Sequence, residues 1–378
     1  MAQLHKTYTL EVTTLTPLHI GTGDVLQRGF DYVVHGGRTW VIHADALLDA
    51  VWGPTPDPRL LGRPADELLK VLGRDAFNSQ APYFRYVLPG EPRAEARGAE
   101  VREQLKDPWD RPYLPGSSVK GALRTVLAAV GWQQRGLRLD PSRLQDNRLW
   151  AAQPLERALF GRDPNHDLLR ALWVSDSEPV GPDSLILVNA QVAVRERLAS
   201  PIELEAVRPG TTFRLTLTLD GYLLRREVRE QLRWQNEVKW LLQLTSLARQ
   251  HAVRRLRREM QYWKGVRSAQ RILDFLEGLY QKAQGLGEDE ALLQIGWGGG
   301  WDSKTFGAEA LQQKDPNAFE AVVRRYRLAR GRAPRKPGDP FPRSRRVVVI
   351  TGRGKESGKL ITVPDRPLGW VQIALKEG

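Results

Sequence analysis

The sequence predicts an α+β protein in which small sheets are each covered by helices. Strand-like and helix-like segments are interspersed along the whole chain. A strand that runs through a glycine-rich loop into a helix occurs once in each half. The chain is also long enough for two cores, since it has 378 residues, of which 41% are hydrophobic. We therefore expect an N-terminal domain at 1–180 and a C-terminal domain at 181–378.

The first half opens with strand signals. Residues 7–16 alternate and are rich in β-branched side chains, which predicts a strand. Residues 30–42 hold two β-rich runs around Gly36 and Gly37, a pattern typical of a hairpin turn. The chain then becomes helical and, further on, mixed and charged. The elements predicted there are a short helix at 43–52 and an insertion at about 53–110 with a weak helix near 65–72.

A glycine-rich segment, residues 17–23, follows the first strand. Gly21 and Gly23 bracket a threonine, which allows a tight turn and a close approach of the backbone to a ligand. His19 precedes the glycines and has two interpretations. It either contacts a ligand or acts as an acid or base, or it is a histidine that structures the turn.

Residues 113–125 form the first strong candidate for a binding site. Pro115 and Gly116 end the preceding segment, and the apolar residues that follow have helical spacing. We predict that Ser117 or Ser118 caps the helix and that two cations lie beside its free amides, a suitable site for a phosphate. The cations are Lys120 and Arg124. The alternative is a well-capped helix with two solvated cations.

The second half is predicted to combine strands with long basic helices. Residues 212–220 alternate cleanly, which predicts a strand with one apolar face. The arginines near the end of the long helix suit the helix dipole and could also be solvated. The main elements predicted are strands at 171–178 and 185–194 and helices at 236–263 and 266–283.

A second candidate site lies at residues 291–307. A strand enters a triple glycine that includes Gly298 and Gly299, and Trp297 and Trp301 flank the glycines. We predict that Lys304 opens a helix, so that bare amides, a cation and stacking rings could hold nucleic acid. The pattern nearly matches a phosphate loop, but a serine replaces its second glycine, and nucleotide hydrolysis is not favoured. The alternative is a tight turn with two core tryptophans.

The charge balance favours a polyanionic partner. The net charge is +13, and residues 324–346 form a basic segment predicted to be a mobile loop. A membrane-surface role competes with this interpretation, but the sequence has no apolar run near 18 residues and no signal-like start. There are no cysteines, and the six histidines are scattered, so we expect no metal, no cofactor and a cytoplasmic location.

Several motifs in this order resemble the RAMP superfamily of CRISPR effector proteins. Length, the tryptophan-flanked glycine loop and the C-terminal motif most resemble the fifth subunit of type III-A (Csm) complexes, which caps the 3′ end of the guide RNA. The motifs are Thr16-Pro-Leu-His-Ile-Gly-Thr-Gly23, Phe30-Asp-Tyr-Val-Val34, Leu114-Pro-Gly-Ser-Ser-Val-Lys-Gly-Ala-Leu-Arg-Thr125, Val174-Ser-Asp-Ser177, the loop from Gly296 to Lys304 and Arg366-Pro-Leu-Gly-Trp370.

The resemblance implies two ferredoxin-like (RRM-related) domains whose glycine-rich loops grip RNA. It implies a non-catalytic subunit with guide RNA (crRNA) and an adjacent RAMP backbone subunit as partners, and host nucleases as a further partner. Asp24 and Asp31 do not match a catalytic position, so only binding is carried over. The expected RNA-binding residues are His19, Gly21, Ser117, Ser118, Lys120, Arg124, Gly298, Gly299 and Lys304.

Three alternatives remain open. The chain could be a metal-independent RNA endonuclease that processes repeat RNA with His19 as acid or base. It could be a scaffold that contacts only other subunits. It could also be a capping subunit of the related type III-B complex.

Overall fold

A computed structural model describes residues 5–52, 57–234, 237–329, 336, 339–353 and 360–377. Strands and helices are interspersed along the chain, which confirms the predicted α+β class. The strands are β1 His5–Thr14, β2 Gly21–Gln27, β3 Tyr32–His35, β4 Arg38–Ile42, β5 Phe84–Pro89, β6 Glu100–Gln104, β7 Leu172–Val174, β8 Leu185–Val194, β9 Arg197–Val207, β10 Thr212–Asp220, β11 Glu290–Gln294, β12 Arg345–Arg353, β13 Leu360–Pro367 and β14 Trp370–Glu377. The helices are α1 Ala44–Trp52, α2 Ala65–Leu72, α3 Gly116–Gln134, α4 Gln153–Phe160, α5 Arg226–Leu232, α6 Val238–Leu242, α7 Leu244–Trp263, α8 Gln270–Gly285, α9 Ala308–Lys314 and α10 Pro316–Arg325.

A five-stranded antiparallel sheet holds the main core and has the order β11-β14-β1-β10-β7. Its central strand β1 pairs with β10 on one side and β14 on the other, so that Leu10 faces Leu215 and Leu375. Leu10 and Val12 are fully buried. The two ends of the chain therefore share one sheet, and the boundary near residue 180 stays a prediction.

A six-stranded sheet lies beside the five-stranded one and has the order β13-β12-β8-β9-β6-β2. A third, small sheet, β3-β4-β5, completes the β-structure of the described residues. In the six-stranded sheet only β6 and β9 run parallel. Leu18 and Val207 form a bridge between the segment after β1 and the end of β9. This bridge brings the glycine-rich segment to the edge where the two large sheets meet.

Helices α3 and α7 cover the main core. Leu123 and Leu127 of α3 are fully buried, as their spacing predicted. A second core forms where α7 packs on α8, with Leu256, Trp263 and Ile272 buried there together with Trp370. Helix α7 thus contributes buried residues to both cores, and this packing fixes the loops that precede and follow it.

Many predicted elements are confirmed, and several are not. The hairpin, α1, α2, β8 and β10 lie where the sequence placed them. The predicted insertion contains β5 and β6, which were missed, as was β9. The helix predicted at 236–263 is interrupted at Gln243, where φ is −111° and ψ is 23°. Parts of the predicted basic loop 324–346 and of the glycine-rich turn near 353–359 lie outside the described residues.

The glycines of α3 offer a matched test of packing. A Cβ on Gly131 would lie 2.6 Å from the Trp240 ring and 2.8 Å from Leu159, whereas one on Gly121 would meet nothing within 4 Å. We expect Gly131→Ala to lower the free energy of unfolding by about 1–3 kcal/mol through overpacking. Gly121→Ala should raise it by about 0.5–1 kcal/mol through helix propensity. Urea unfolding checks both, and equal effects of the two changes would contradict the packing described here.

Candidate nucleic-acid interface

A cleft of ≈ 990 Å³ brings the two predicted binding segments together. Its walls are β2, β6, the start of α3 and the loop after β11. The sequence predicted one site in each half, and the structure places residues of both in a single cleft. The predicted residues that line it are His19, Gly21, Ser117, Ser118 and Lys304.

His19 is buried and neutral in this cleft. Its Nδ1 lies 2.7 Å from the carbonyl oxygen of Glu205, so Nδ1 carries the proton and donates it. Burial lowers the pKa of His19 to about 4, and the charges of Arg102 and Lys106 act in the same direction. The main-chain amide of Trp297 donates to the carbonyl oxygen of His19 at 2.9 Å. His19 therefore structures the junction of the two loops, the second of its two interpretations.

The carboxylate of Glu205 holds the wall beneath His19. It is fully buried, and it accepts hydrogen bonds from the Tyr86 hydroxyl at 2.8 Å and the Gln104 amide at 3.0 Å. Lys106 completes the arrangement with its Nζ at 2.6 Å. These bonds join β5 and β6 to β9, so the position of the cleft wall is set by one buried charge.

The start of α3 corrects the predicted cap. The helix begins at Gly116, and the amide of Gly116 donates to the Asp176 carboxylate at 2.8 Å. Ser117 and Ser118 lie inside the first turn, and in the described part of the chain neither hydroxyl has a hydrogen-bond partner. A Cβ on Gly116 would lie 2.3 Å from the carbonyl oxygen of Ser175, so the close strand requires glycine there. A carboxylate 60 residues away thus replaces the local cap, and the serines face the cleft.

The two cations of α3 do not join the serines, so the predicted convergence is wrong. Arg124 forms ion pairs with Asp167 at 2.8 Å and Glu156 at 3.0 Å, and its guanidinium lies over the Phe160 ring. Lys120 is half-buried beside it, and burial lowers the pKa of Lys120. Neither side chain lines the cleft. The acids that hold Arg124 come from α4 and the turn before β7, which local sequence does not reveal.

Two glycines of the second loop also differ from the prediction. Gly298 and Gly299 are both buried. A Cβ on Gly298 would lie 2.1 Å from the Leu368 side chain, and a Cβ on Gly299 would lie 2.2 Å from the Ser303 side chain. They line a separate cavity of ≈ 320 Å³ on the other side of the loop. Lys304 lies in a turn and opens no helix, since α9 begins at Ala308. The glycines are thus required for packing, and their contact with RNA stays a prediction.

Sequence reasoning missed a cluster of cations around Trp297. The guanidinium carbons of Arg102 and Arg346 lie 5.1 Å and 4.8 Å from the centroid of the Trp297 ring. Burial lowers the pKa of Lys304 and of Arg346, and each pKa is lowered further by a neighbouring arginine, Arg346 and Arg102 respectively. Arg102 lies in the predicted insertion and Arg346 ends the predicted basic loop. Their separation of more than two hundred residues left no local signal.

Acidic side chains also line the cleft. Glu103 pairs with Lys106 at 3.2 Å, and the buried Glu203 lies 3.9 Å from Arg93. Asp24 is exposed on β2. The cleft thus has a cationic part near Trp297 and a mixed remainder.

A buried ion network fixes the loop behind Trp297. Asp302 lies 3.4 Å from Arg258 and 3.6 Å from Arg345, and the Nε of Arg345 donates to both carboxylate oxygens of Glu259, at 2.7 and 3.0 Å. Glu259 and Asp302 are both buried. The network joins α7 and β12 to the loop, and therefore holds the cationic part of the cleft in place.

Removing one charge from this network should be costly. We expect Glu259→Gln to lower the free energy of unfolding by about 3–5 kcal/mol. The change leaves the guanidinium of Arg345 buried, with the carboxylate of Asp302 at 3.6 Å as its remaining acidic partner in the network. Urea unfolding measures the change. Asp183→Asn removes half of an exposed pair with Arg208 and should have no measurable effect. Similar results for the two variants would contradict a buried network.

Burial of neutral His19 predicts a pH dependence of stability. The unfolded chain binds a proton near pH 6.5, whereas the folded pKa is about 4. Stability is therefore full above pH 6.5 and falls as the pH drops toward 4, by roughly 3 kcal/mol from this residue. His251, whose pKa burial lowers to about 3, contributes with the same sign.

Chemical unfolding at several pH values between 4 and 7.5 tests this dependence. His19→Asn should flatten the decline without abolishing it, since His251 remains. The same change at the exposed His43 is the control. A His19→Asn curve parallel to that of the wild type would contradict a buried neutral imidazole.

No helix in the described ranges combines the length and apolar character needed to cross a lipid bilayer. In the same part of the chain, no cluster of three or more histidine or acidic side chains has an arrangement that could hold a metal ion.

Comparison with known proteins identifies the family. A profile described as the RAMP superfamily matches residues 11–301. Because this match covers more than half of the sequence, the chain belongs to the RAMP superfamily.

The relatives include proteins named CRISPR system Cms protein Csm5. The protein from Streptococcus thermophilus is 33% identical over 238 residues, which cover 57% of this chain and 65% of that protein. The protein from Mycobacterium tuberculosis H37Rv is 25% identical over 262 residues, covering 57% of this chain and 67% of the relative. The matched part therefore spans slightly less than two thirds of the Streptococcus thermophilus protein.

Solved structures share the fold over almost the whole chain. A chain in the cryo-EM structure of a type III-A Csm–crRNA–target RNA ternary complex aligns with a TM-score of 0.68 at 22% identity, covering 98% of this chain and 100% of that one. The crystal structure of T. onnurineus Csm5 aligns with a TM-score of 0.59 at 20% identity, covering 96% and 99%. The resemblance to RAMP proteins and to the fifth Csm subunit is thereby confirmed, and the ferredoxin-like character of the domains stays a prediction.

Proposed function

We propose that this protein is a non-catalytic, guide-RNA-binding subunit of a type III-A CRISPR effector complex that caps the 3′ end of the crRNA. The observation that carries the proposal is the cleft, in which exposed Ser117, the Gly21 segment and Lys304 come together, the last with no acidic partner among the described residues. A cleft with cations and hydroxyls suits a phosphate backbone. The relatives named Csm5 support the choice of complex.

The chemistry of His19 favours binding over cleavage. A general acid must hold a proton near neutral pH, and the pKa of His19 is about 4. Its Nδ1 proton is already donated to the carbonyl oxygen of Glu205. Asp31 accepts a hydrogen bond from the Gln27 amide at 2.7 Å and so has a local structural role.

The partners and organisation follow from the same proposal. An adjacent RAMP backbone subunit would contact this chain in a cytoplasmic ribonucleoprotein, and host nucleases would trim the guide. Two ferredoxin-like domains, at 1–180 and 181–378, would supply the loops. The assembled complex of the relative, which contains crRNA and target RNA, supports RNA and other subunits as partners.

A charge placed in the cleft tests guide-RNA binding. Ser117→Glu adds an acid to the first turn of α3, where it suits the helix dipole and should leave the fold intact. It should weaken binding of a guide RNA with a free 3′ end by about tenfold, since like charges a few ångströms apart repel by about 1 kcal/mol or more. Ser79→Glu, at an exposed serine away from the cleft, is the matched control. Equal affinities of both variants and the wild type would overturn the cleft as the RNA site.

The position of the RNA and the alternatives need two further measurements. Photocrosslinks from 4-thiouridine near the 3′ end should map to the cleft, whereas crosslinks only to other subunits would favour a scaffold. Labelled repeat RNA incubated with the pure protein in EDTA should stay intact. A discrete cut that is lost in His19→Ala would establish the endonuclease alternative.

A further inference from the structure

Three cations around Trp297 lack acidic partners in the described part of the chain: Arg102 and Lys304 line the cleft, and Arg346 lines the neighbouring cavity. Arg102 comes from β6, Arg346 from β12 and Lys304 from the loop after β11. Among the described residues, none of the three has a carboxylate within 4.0 Å or a side-chain hydrogen bond. Arg102 and Arg346 both lie against the Trp297 ring. The charge of Arg346 acts on Lys304, and the charge of Arg102 acts on Arg346.

This arrangement differs from that of other arginines that are packed against protein. Arg124 has two carboxylate partners, Arg345 donates to both oxygens of the Glu259 carboxylate, and Arg271 lies 2.6 Å from Asp365. Arg346 is partly buried and Lys304 and Arg102 are exposed, yet Arg346 faces like charges from its neighbours. Cations that are desolvated and mutually repelling destabilise the free protein unless an anion joins them.

We propose that Arg102, Arg346 and Lys304 form a phosphate-binding site that holds backbone phosphates of the RNA strand beside Trp297. The proposal rests on the function proposed above and assigns its phosphate contacts to two cations of the same cleft and to Arg346, which lies beside the cleft on the Trp297 ring. Two guanidiniums give forked donors that match phosphate oxygens, and the lysine adds a mobile point charge. The exposed Ser117 hydroxyl in the same cleft offers a further donor.

Trp297 acts as the positioning residue of this site. Its amide is bonded to the carbonyl oxygen of His19, and its ring lies edge-on to the imidazole with centroids 6.2 Å apart. The ring is thereby fixed, and it attracts both guanidiniums through cation–π contacts. The sequence indicated that this ring could stack on a base, and that stays a prediction; the structure adds two cations against the ring. Trp297 therefore orients the arginines before the strand arrives.

Paired variants distinguish a binding role from a structural one. Arg102→Gln with Arg346→Gln should leave the free protein as stable as the wild type or more so, because repulsion is relieved. The same double variant should bind guide RNA at least tenfold more weakly. The slope of log K against log salt should become shallower by about 0.7 for each phosphate of the single strand that the variant no longer neutralises. Arg38→Gln changes an exposed arginine of the small sheet and should alter neither quantity.

A protein-only probe tests the site independently of guide RNA. Inorganic tripolyphosphate should raise the Tm of the wild type and of Arg38→Gln, and should have little effect on the double variant. A double variant with the wild-type salt slope, or with the wild-type response to tripolyphosphate, overturns the assignment. If Ser117→Glu weakens RNA binding while the double variant does not, this site alone is wrong. If the wild type responds to tripolyphosphate but binds no guide RNA, the proposed function is wrong and the anion site stands.

Discussion

The geometry of the cleft depends on one buried carboxylate, that of Glu205. This side chain is 0% exposed, and its oxygens accept from Tyr86, Gln104 and Lys106 on two other strands and the segment that follows them. Its main-chain oxygen accepts from His19. A buried charge of this kind adds little net stability, but removing any one of its partners is costly, so the fold must keep all of them in place. The wall, the histidine and the loop that packs on His19 are consequently fixed relative to one another.

The surplus of positive charge has two different uses in this protein. Many internal arginines join elements together, as Arg345 does for α7, β12 and the loop with Asp302. Among the described residues, the cations around Trp297 have no such acids, which is the basis for proposing an external anion there. A net charge of +13 therefore indicates a polyanion, while the pairing of each side chain shows where the polyanion could lie. Counting basic residues along the sequence cannot separate the two uses.

Sequence patterns predicted those elements whose signals are local. The alternation at 212–220 gave β10 with its bounds, because one face of that strand is buried and the other is not. Strand β9 was missed because it contains Pro201, and a proline within a run of residues argues against a strand there. Arg124 looked available because its acidic partners lie 32 and 43 residues away. The cap from Asp176 and the meeting of Arg102 with Arg346 likewise depend on tertiary contacts, which no spacing encodes.

The floor of the cleft is formed where the two ends of the chain meet. The amide of Leu15 donates to the carbonyl oxygen of Trp370, and the amide of Gly369 donates to that of Pro17. The amide of Ile295 in turn donates to the carbonyl oxygen of Gly369 at 2.8 Å, and the Trp297 amide returns to His19. Three segments far apart in sequence thus form one continuous layer of hydrogen bonds. Since Gly369 and Trp370, at the start of β14, supply the middle of that layer, main-chain hydrogen bonds tie the residues before the glycine-rich segment to the C-terminal strand. The proposed RNA-binding surface therefore depends on tertiary contacts between these segments rather than on either motif alone.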